Sequence, residues 1–222
     1  MIEETTSTQS DLVQQFESGK VLVAEYQSAG RGRLDRKFIV PPRKGLTFSF
    51  CVEATNDFGW IPLLTGLAVA QGINSYLNSD LVKIKWPNDL LIDEKKLGGI
   101  LSEKSETGVV VGVGINIFQT QTELPISDAT SLTNVVRNME IDRSELLSRI
   151  LDRIGEVLAD LGKFKNEYRE FCSTIGKSVM VTLPTGQVIE DLAIGISTDG
   201  ALILKSREIT VGDTVHLRNI DK

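Results

Sequence analysis

The sequence is poor in the residues that build nucleophilic, zinc and disulfide sites. It contains one histidine, His216, and two cysteines, Cys51 and Cys172, which lie far apart and lack a CxxC spacing. Zinc sites and disulfide frameworks require clustered ligands or paired cysteines, and Ser-His-Asp or Cys-His catalysis requires a placed histidine. The sequence therefore disfavours these chemistries, and we interpret both cysteines as buried thiols.

The sequence also lacks a leader-like start and a long unbroken apolar run. It begins Met-Ile-Glu-Glu-Thr, and its longest apolar stretch, 61–77, is interrupted by Thr65, Gln71 and Asn74. A secretory signal begins with basic residues before an apolar core, and a membrane-spanning helix needs about 20 largely apolar residues. We therefore expect no membrane association and a cytoplasmic location.

Positive charge is scarce overall. The chain has 24 Lys and Arg residues against 30 Asp and Glu residues, which gives a formal net charge of −6. Nonspecific binding to nucleic acid draws on many excess cations, so this balance disfavours a general nucleic-acid-binding protein. A small anionic ligand is the simpler explanation for a local basic cluster.

One basic cluster follows the apolar run 21–24. It includes glycines, which adopt backbone angles closed to other residues and let main-chain N–H groups approach an anion. The cluster predicts a loop that holds phosphate or carboxylate, with loose nucleic-acid binding or a solvated surface as the alternatives. It consists of Gly30, Arg31, Gly32, Arg33, Arg36 and Lys37.

The patterns along the chain predict an α/β protein. With 222 residues, the chain can bury one main core and has room for a small second domain. Strands are predicted at 20–26, 46–52, 81–86, 90–92, 98–103 and 109–117. Helices are predicted from a cap at Ser7 or Thr8 towards Gly19, at 60–77, and as one long amphipathic helix from Asp142 to Leu161.

The pattern changes to short alternating strands after residue 175. Turn sequences such as Asp199-Gly200 and Gly212-Asp213 separate these strands at regular spacing, which is typical of a small barrel. We therefore predict two domains, at 1–175 and 176–222.

Gly112 and Gly114 occupy one predicted strand and lie on the same face, because side chains alternate along a strand. Paired glycines weaken a strand and mark a place where something approaches the backbone closely. Either a ligand or a closely packed helix would account for them.

Five ordered motifs together make the chain similar to the biotin protein ligases. The resemblance covers nearly the whole sequence, and the order and spacing of the motifs make it specific. The motifs are Thr6-Ser7-Thr8-Gln9, Gln27-Ser28-Ala29-Gly30-Arg31-Gly32-Arg33, Lys85-Trp86-Pro87-Asn88-Asp89, Lys96-Leu97-Gly98-Gly99-Ile100 and Gly112-Val113-Gly114-Ile115-Asn116.

The resemblance implies an α/β catalytic domain with a mixed β-sheet, followed by a small C-terminal SH3-like β-barrel. It implies a two-step reaction in which biotin and ATP form biotinyl-5′-adenylate with Mg²⁺, and biotin then passes to a lysine of a biotin carboxyl carrier protein or domain. Some members carry a DNA-binding domain before the ligase motifs. Those motifs begin at residue 6 here, so we expect no DNA-binding role. An exposed sheet edge would permit a homodimer.

The resemblance also assigns roles to residues. Lys96 takes the leading catalytic role with Arg31 and Arg33, Asp89 orders the acceptor lysine or a metal-bound water, and no preformed all-protein metal site is implied. Biotin is expected at Ser7, Thr8, Gln27, Gly30, Arg31, Lys96, Gly99, Gly112 and Gly114. The nucleotide and adenylate are expected at Arg31, Arg33, Arg36, Lys37, Phe38, Trp86, Asn88, Lys96 and Asn116. From spacing alone, Lys96 is a solvated lysine at a hairpin tip covering 93–96.

Three positions depart from the common family pattern. Gln9 stands where an asparagine is frequent, Asp35 where many relatives have glycine, and Phe38 where they have tryptophan. Phe38 can still stack on adenine, with less surface. Asp35 adds an anion near the phosphates, and we expect it to weaken ordering of the loop.

Two other functions fit parts of the sequence. A lipoate protein ligase uses the same adenylation chemistry, but that family's histidine-bearing glycine-rich motif is absent from a chain whose one histidine is His216. A non-enzymatic nucleic-acid-binding module would use the basic cluster, with Phe38 as a stacking platform. It predicts salt-sensitive oligonucleotide binding and no ATP turnover.

Overall fold

The computed structural model describes residues 1–34, 36–137 and 139–217, and within these ranges the chain forms two sheets and five helices. The first sheet has seven strands in the order β1-β2-β3-β7-β6-β5-β4. β1 runs parallel to β2 and the other neighbours are antiparallel, so the sheet is mixed as predicted. Its strands are β1 (Ile2–Thr5), β2 (Val21–Gln27), β3 (Gly45–Glu53), β4 (Lys83–Lys85), β5 (Asp89–Ile92), β6 (Lys95–Lys104) and β7 (Gly108–Asn116).

The centre of this sheet is the pair β3 and β7. The two strands pair from Gly45 opposite Asn116 to Glu53 opposite Gly108, and most of their residues are buried on both faces. A strand covered on both sides is apolar along its length, which explains the run of valines in β7. This rigid centre carries Gly112 and Gly114.

Helices cover both faces of the sheet. α1 (Thr8–Gln14) begins as predicted but ends before Gly19, and α2 (Ile61–Leu77) has the predicted position. α2 is buried along most of its length, with Pro62 in its first turn. α2 packs against α4 (Arg143–Ala159), where Gly72 lies against the backbone of Ile150. The remaining helices are α3 (Leu132–Val135) and α5 (Leu161–Phe171).

The single long helix predicted from Asp142 to Leu161 is wrong at its C-terminal end. The start is as predicted, because the Asp142 side chain accepts from the backbone N–H groups of Ser144 and Glu145. The helix is interrupted at Asp160, where α4 ends and α5 begins. The carboxylate of Asp160 caps α5 by accepting from Lys163 N at 3.1 Å. Both helices pack on the core, so the apolar stripe continues across a break that an apolar pattern does not reveal. β1, α3 and α5 were not predicted.

The second sheet is antiparallel and lies in the C-terminal part of the chain. Its order is β11-β10-β9-β8-β12. The predicted Asp199-Gly200 turn joins β9 to β10, and Gly200 has a φ of +86°. Its strands are β8 (Ser178–Thr182), β9 (Val188–Ile196), β10 (Leu202–Leu204), β11 (Glu208–Ile209) and β12 (Asp213–His216), of which β11 was not predicted.

The two sheets share one hydrophobic core, and two tryptophans connect them. Trp60 Nε1 donates to the carbonyl of Thr198 at 2.6 Å, and Trp86 Nε1 donates to that of Gly200 at 3.0 Å. The turn between β9 and β10 is thereby fixed against the first sheet. No helix within the described ranges is long and apolar enough to span a membrane.

Candidate functional site

A cleft of about 1740 Å³ lies between the first sheet and the second. It is bordered by the start of α1, the 31–39 loop, the β5–β6 hairpin, β7 and β12. The cleft brings together most of the site residues predicted from the sequence. These are Ser7, Thr8, Gln27, Arg31, Arg33, Arg36, Lys37, Phe38, Asn88, Asp89, Lys96, Gly99, Gly112, Gly114 and Asn116.

One end of the cleft is neutral and hydrogen-bonded. Gln27 Oε1 accepts from Thr8 N at 2.8 Å and from Thr8 Oγ1 at 3.0 Å. Thr8 Oγ1 lies 2.8 Å from Ser49 Oγ, which donates to Gln9 Oε1 at 3.3 Å. Gln9 Nε2 donates to the carbonyl of Val110 at 2.9 Å. The network joins α1 to strands β2, β3 and β7, so the fold fixes its geometry.

The start of α1 places this network. Ser7 has an extended backbone and its hydroxyl accepts from Ser10 N, which makes it the N-cap, as the sequence predicts. Thr8 and Gln9, in the first turn, are therefore buried against β3 and β7. A methyl group on Gly112 would lie 2.6 Å from Gln9 Oε1, so the glycine makes room for the glutamine that stands where asparagine is frequent.

Lys96 lies beside Asp89 in the lining of the cleft. Lys96 Nζ is 2.5 Å from Asp89 Oδ1, and Lys85 Nζ is 3.1 Å from Asp89 Oδ2. Burial opposes ionisation of Asp89, but the charges and hydrogen bonds of Lys96 and Lys85 outweigh it, so the pKa of this carboxyl lies below its usual range. The carboxylate is therefore ionised at neutral pH and holds two cations in place.

The position of Lys96 corrects the interpretation from spacing. The turn of the hairpin consists of Asp93 and Glu94, whose φ values are 48° and 62°, and Lys96 belongs to strand β6 opposite Leu91. Lys96 is thus a strand residue facing the cleft, whereas spacing alone placed it at a solvated tip.

The other end of the cleft is cationic, and its arginines are paired with acids. Arg31 forms a two-bond ion pair with Glu103 at 2.7 and 2.9 Å. Arg33 Nη1 donates to Asn88 Oδ1 at 3.1 Å and lies 4.0 Å from Asp213 Oδ1. Arg36 forms an ion pair with Asp213 as well. The loop is therefore attached to both sheets.

Arg33 is the most enclosed of the three arginines. Burial lowers the pKa of its guanidinium, and the carboxylates of Asp213 and Asp89 act in the opposite direction. An arginine remains protonated in such surroundings. Arg33 thus supplies a fixed positive charge in the cleft.

Phe38 lies on Gly114. A methyl group on Gly114 would come within 2.5 Å of Phe38 Cζ, so only glycine leaves room for the ring in this arrangement. Gly30 makes a second close approach, because its carbonyl accepts from Phe38 N at 2.9 Å. The loop therefore covers the part of β7 where the ligand ring was predicted.

Two of the predicted site residues lie outside the cleft, and the amide of a third is already bonded to protein groups. Trp86, expected at the nucleotide wall, is buried away from the cleft because its indole binds Gly200 in the second sheet. Gly30 lies outside the cleft lining and instead permits the close backbone contact with Phe38. Asn116 lines the cleft, but its amide donates to Thr130 O at 3.0 Å and accepts from Gln119 Nε2 at 2.8 Å.

Sequence reasoning missed several charged residues of the site. Lys85 had a usable signal, since it opens the motif that ends with Asp89 and its side chain follows that of Lys83 on one face of the strand. Glu103 and Asp213 had no usable sequence signal, because they are remote in sequence from the arginines that they bind. Asp35, expected to weaken loop ordering, lies outside the described residues.

The residues that the structure describes contain no group of three or more His, Cys, Asp or Glu side chains arranged to hold a metal ion. Asp89 already binds two lysines. A cation that accompanies a nucleotide would depend largely on phosphate oxygens for its ligands.

Comparison with known proteins identifies the family. Residues 1–117 match the model of the biotin/lipoate A/B protein ligase family. The chain is 35% identical to the biotin–[acetyl-CoA-carboxylase] ligase of Mycobacterium tuberculosis, over 98% of this chain and 88% of that protein. It is 27% identical to the bifunctional ligase/repressor BirA of Escherichia coli, over 100% of this chain and 74% of that protein.

A solved structure extends the likeness to the whole fold. The biotin protein ligase from Aquifex aeolicus, in complex with biotin and ATP, superposes with a TM-score of 0.85 at 31% identity. The match covers 98% of this chain and 97% of that one, including the second sheet. The chain belongs to the biotin/lipoate A/B protein ligase family.

Proposed function

We propose that the protein is an ATP-dependent biotin protein ligase. It joins biotin to ATP, forming biotinyl-5′-adenylate and pyrophosphate, and then transfers biotin to a lysine of a biotin carboxyl carrier protein or domain. The observation that carries this proposal is the cleft itself, which is lined by a neutral hydrogen-bonded network, by a cationic loop, by the glycines of β7 and by Lys96 beside Gly99. The family and the whole-length likeness to biotin ligases support the same conclusion.

The neutral end suits the ureido group of biotin. That group has two N–H donors and one carbonyl acceptor, and it carries no charge, so buried hydroxyl and amide groups match it without a desolvated ion. Ser7, Thr8 and Gln27 provide such groups at one end of the cleft. In this arrangement the bicyclic ring lies along Gly112 and Gly114, and Phe38 moves off Gly114 to admit it.

The cationic end suits the two anions that must react. The carboxylate of biotin attacks the α-phosphorus of ATP, a P–O bond forms, and pyrophosphate leaves. Two unit negative charges about 4 Å apart repel by roughly 4 kcal/mol at an effective dielectric constant of 20. Lys96 lies between the two ends and neutralises this repulsion, while Arg31 and Arg33 bind carboxylate and phosphate oxygens and Arg36 and Lys37 extend the binding to the diphosphate.

A Mg²⁺ ion that accompanies the nucleotide would take its ligands largely from phosphate oxygens, whose charge it would shield, because the described residues offer no cluster of acidic ligands. Asn88 positions Arg33 through the bond at 3.1 Å, and Asn116 holds the 117–131 segment beside the cleft through its bond to Thr130. Phe38, once displaced from Gly114, can stack on adenine. These residues shape the site for the nucleotide.

Asp89 serves the second step. The amine of the acceptor lysine attacks the acyl carbon of the mixed anhydride, a C–N bond forms, and AMP leaves with the P–O–C oxygen. The ionised carboxylate of Asp89, held by Lys96 and Lys85, attracts and orders the incoming lysine amine, and the proton lost from its nitrogen passes to solvent. Asp89 thereby links the activation centre to the acceptor.

The division of the chain into a catalytic domain at 1–175 and an SH3-like barrel at 176–222 is part of this proposal. The second sheet begins at β8, and Thr174 lies at the junction, where its hydroxyl accepts from Trp86 N at 3.0 Å.

We also propose that the protein acts in the cytoplasm without binding DNA. An open edge at β1, whose residues are largely exposed, suits a homodimer that sedimentation at several concentrations would detect.

The test of the proposal is biotin transfer. Purified protein is incubated with MgATP, a carrier domain and either biotin or lipoate, and the mass of the carrier is measured. We expect the mass to rise by one biotinyl group, with release of AMP and pyrophosphate, and no reaction without ATP. Labelling with lipoate alone, or no labelling with either acid, would overturn the proposal.

A further inference from the structure

Two arginines of the loop converge on one carboxylate from the second sheet. Arg36 forms an ion pair with Asp213, and Arg33 Nη1 lies 4.0 Å from the same carboxylate. Asp213 opens strand β12 and lines the cleft, so an acid lies where the proposed reaction requires phosphates. Its partners Arg36 and Arg33 are 177 and 180 residues away in sequence, so only the fold brings these charges together.

The charge of Asp213 is not needed to satisfy the hydrogen-bonding groups of Arg33. That guanidinium already donates to Asn88 Oδ1 at 3.1 Å, and to the carbonyl of Gly212 at 3.4 and 3.5 Å. Neutral acceptors thus hold Arg33 against the second sheet. The additional carboxylate neutralises local positive charge and repels any phosphate placed between the two arginines.

Arg36 gives a second reason to regard the contact as exchangeable. Its side chain is 67% exposed, whereas that of Asp213 is 26% exposed. An ion pair with an exposed partner is weak because water competes for the exposed charge, and the exposed Arg36 can turn towards a more highly charged anion. A phosphate chain carries more charge than one carboxylate and accepts from both arginines at once.

We propose that Asp213 is an internal counter-anion that occupies Arg33 and Arg36 in the ligand-free protein and lowers the affinity of the cleft for highly charged phosphates. The identity of the phosphates rests on the proposed function: they are ATP and the pyrophosphate that it releases. Asp213 favours release of pyrophosphate after the first step, because it regains the arginines as the diphosphate leaves. The acyl adenylate carries one negative charge and is held with little opposition.

The proposal predicts an order among ligands. Repulsion from a fixed carboxylate grows with the charge of the ligand, so Asp213 weakens binding of inorganic pyrophosphate more than that of AMP. Biotin carries one charge at the other side of Lys96, and its affinity should depend least on Asp213.

The test compares Asp213→Asn with the unaltered protein by calorimetric titration with inorganic pyrophosphate, without biotin or ATP. We expect the variant to bind pyrophosphate about tenfold more tightly, a change of about 1.4 kcal/mol. AMP affinity should rise less, by no more than about fivefold, in line with its lower charge. In turnover, the variant should show about tenfold stronger inhibition by added pyrophosphate.

Two variants serve as controls. Glu208→Gln removes the same charge from an exposed position of the same sheet, at β11, and should leave pyrophosphate affinity unchanged. Asp213→Glu keeps the charge and should resemble the unaltered protein. If Asp213→Asn does not fold, Asp213→Ser tests the same loss of charge, with thermal unfolding checked for each variant.

The outcomes separate this inference from the proposed function. Equal or weaker pyrophosphate binding by both neutral variants would show that Asp213 merely supports the arginines and would overturn the inference. The titration measures binding without catalysis, so it tests the role of Asp213 even if the protein is inactive. Absence of biotin-dependent pyrophosphate release by the unaltered protein would overturn the proposed function, whatever the titrations give.

Discussion

The two ends of the cleft are built in opposite ways. At the neutral end, Thr8 and Ser49 are buried and bonded to neighbours on adjacent strands and on α1. At the cationic end, Arg31 and Arg36 extend from a loop and are 46% and 67% exposed. Their partners, Glu103 and Asp213, belong to different sheets. One end is part of the core, and the other is an assembly of separate surface charges.

This difference indicates how each end meets its ligand. An unmade hydrogen bond in a buried network costs about 1–3 kcal/mol, so the neutral end keeps one geometry and selects a ligand by shape. An exposed ion pair contributes about 0–1 kcal/mol, so the arginines exchange their acids for phosphates at small cost. The cleft is therefore preorganised for biotin and adjustable for the nucleotide.

The largest effect should follow from Lys96→Ala, which removes the cation between the two ends. We expect biotin-dependent pyrophosphate release to fall by about 10²–10³-fold, because the charge that develops on phosphorus loses a fixed partner. Lys104→Ala, on the same strand but outside the cleft, is the matched control. A folded Lys96→Ala protein with near-normal release would refute the assigned role.

Gly114→Val tests where the biotin ring lies. The valine side chain would collide with Phe38 in the ligand-free protein and with the ring of biotin in the complex. We expect biotin affinity to fall more than about tenfold, or 1.4 kcal/mol, in a calorimetric titration. The double variant with Phe38→Ala removes the first collision only, so recovery of affinity in that protein would show that biotin lies elsewhere.

Thr8→Val tests the rigidity of the neutral end. It replaces a buried hydroxyl by a methyl group of similar size, removes one of the bonds that Gln27 Oε1 accepts and puts the methyl group against Ser49 Oγ. We expect a loss of about 1–3 kcal/mol in the free energy of unfolding, measured with urea, together with weaker biotin binding. The same change at the exposed Thr107 should be close to neutral. An unchanged midpoint for Thr8→Val would mean that the network contributes nothing.

Glu103→Gln gives the smallest expected effect and completes the comparison. It removes the charge that holds Arg31 in the ligand-free protein. We expect the free energy of unfolding to fall by less than about 1 kcal/mol, because both side chains are partly exposed. A loss as large as that of Thr8→Val in the same urea experiment would contradict the distinction between the two ends.

The two ends also differ in how much of them the sequence predicts. Local patterns predict much of the neutral end, whereas the ion pairs of the cationic end form only when distant parts of the chain pack together. Local patterns specify the N-cap at Ser7, the glycines of β7 and the hairpin that carries Lys96, because each depends on neighbouring residues. The break at Asp160 was not predicted, because the apolar residues that α4 and α5 bury form one continuous stripe in the sequence pattern. The pairs of Arg31 with Glu103 and Arg36 with Asp213 leave no local signal, since only the packed chain brings them together.

The most direct test of the account is a crystal structure with biotin and a nonhydrolysable ATP analogue. We expect the ureido group beside Thr8 and Gln27, the biotin carboxylate near Lys96, and the phosphates on Arg33 and Arg36 in place of Asp213. Phe38 should have left Gly114. Biotin bound in the reverse direction, or phosphates bound away from the arginines with the Asp213 pairs intact, would contradict the account.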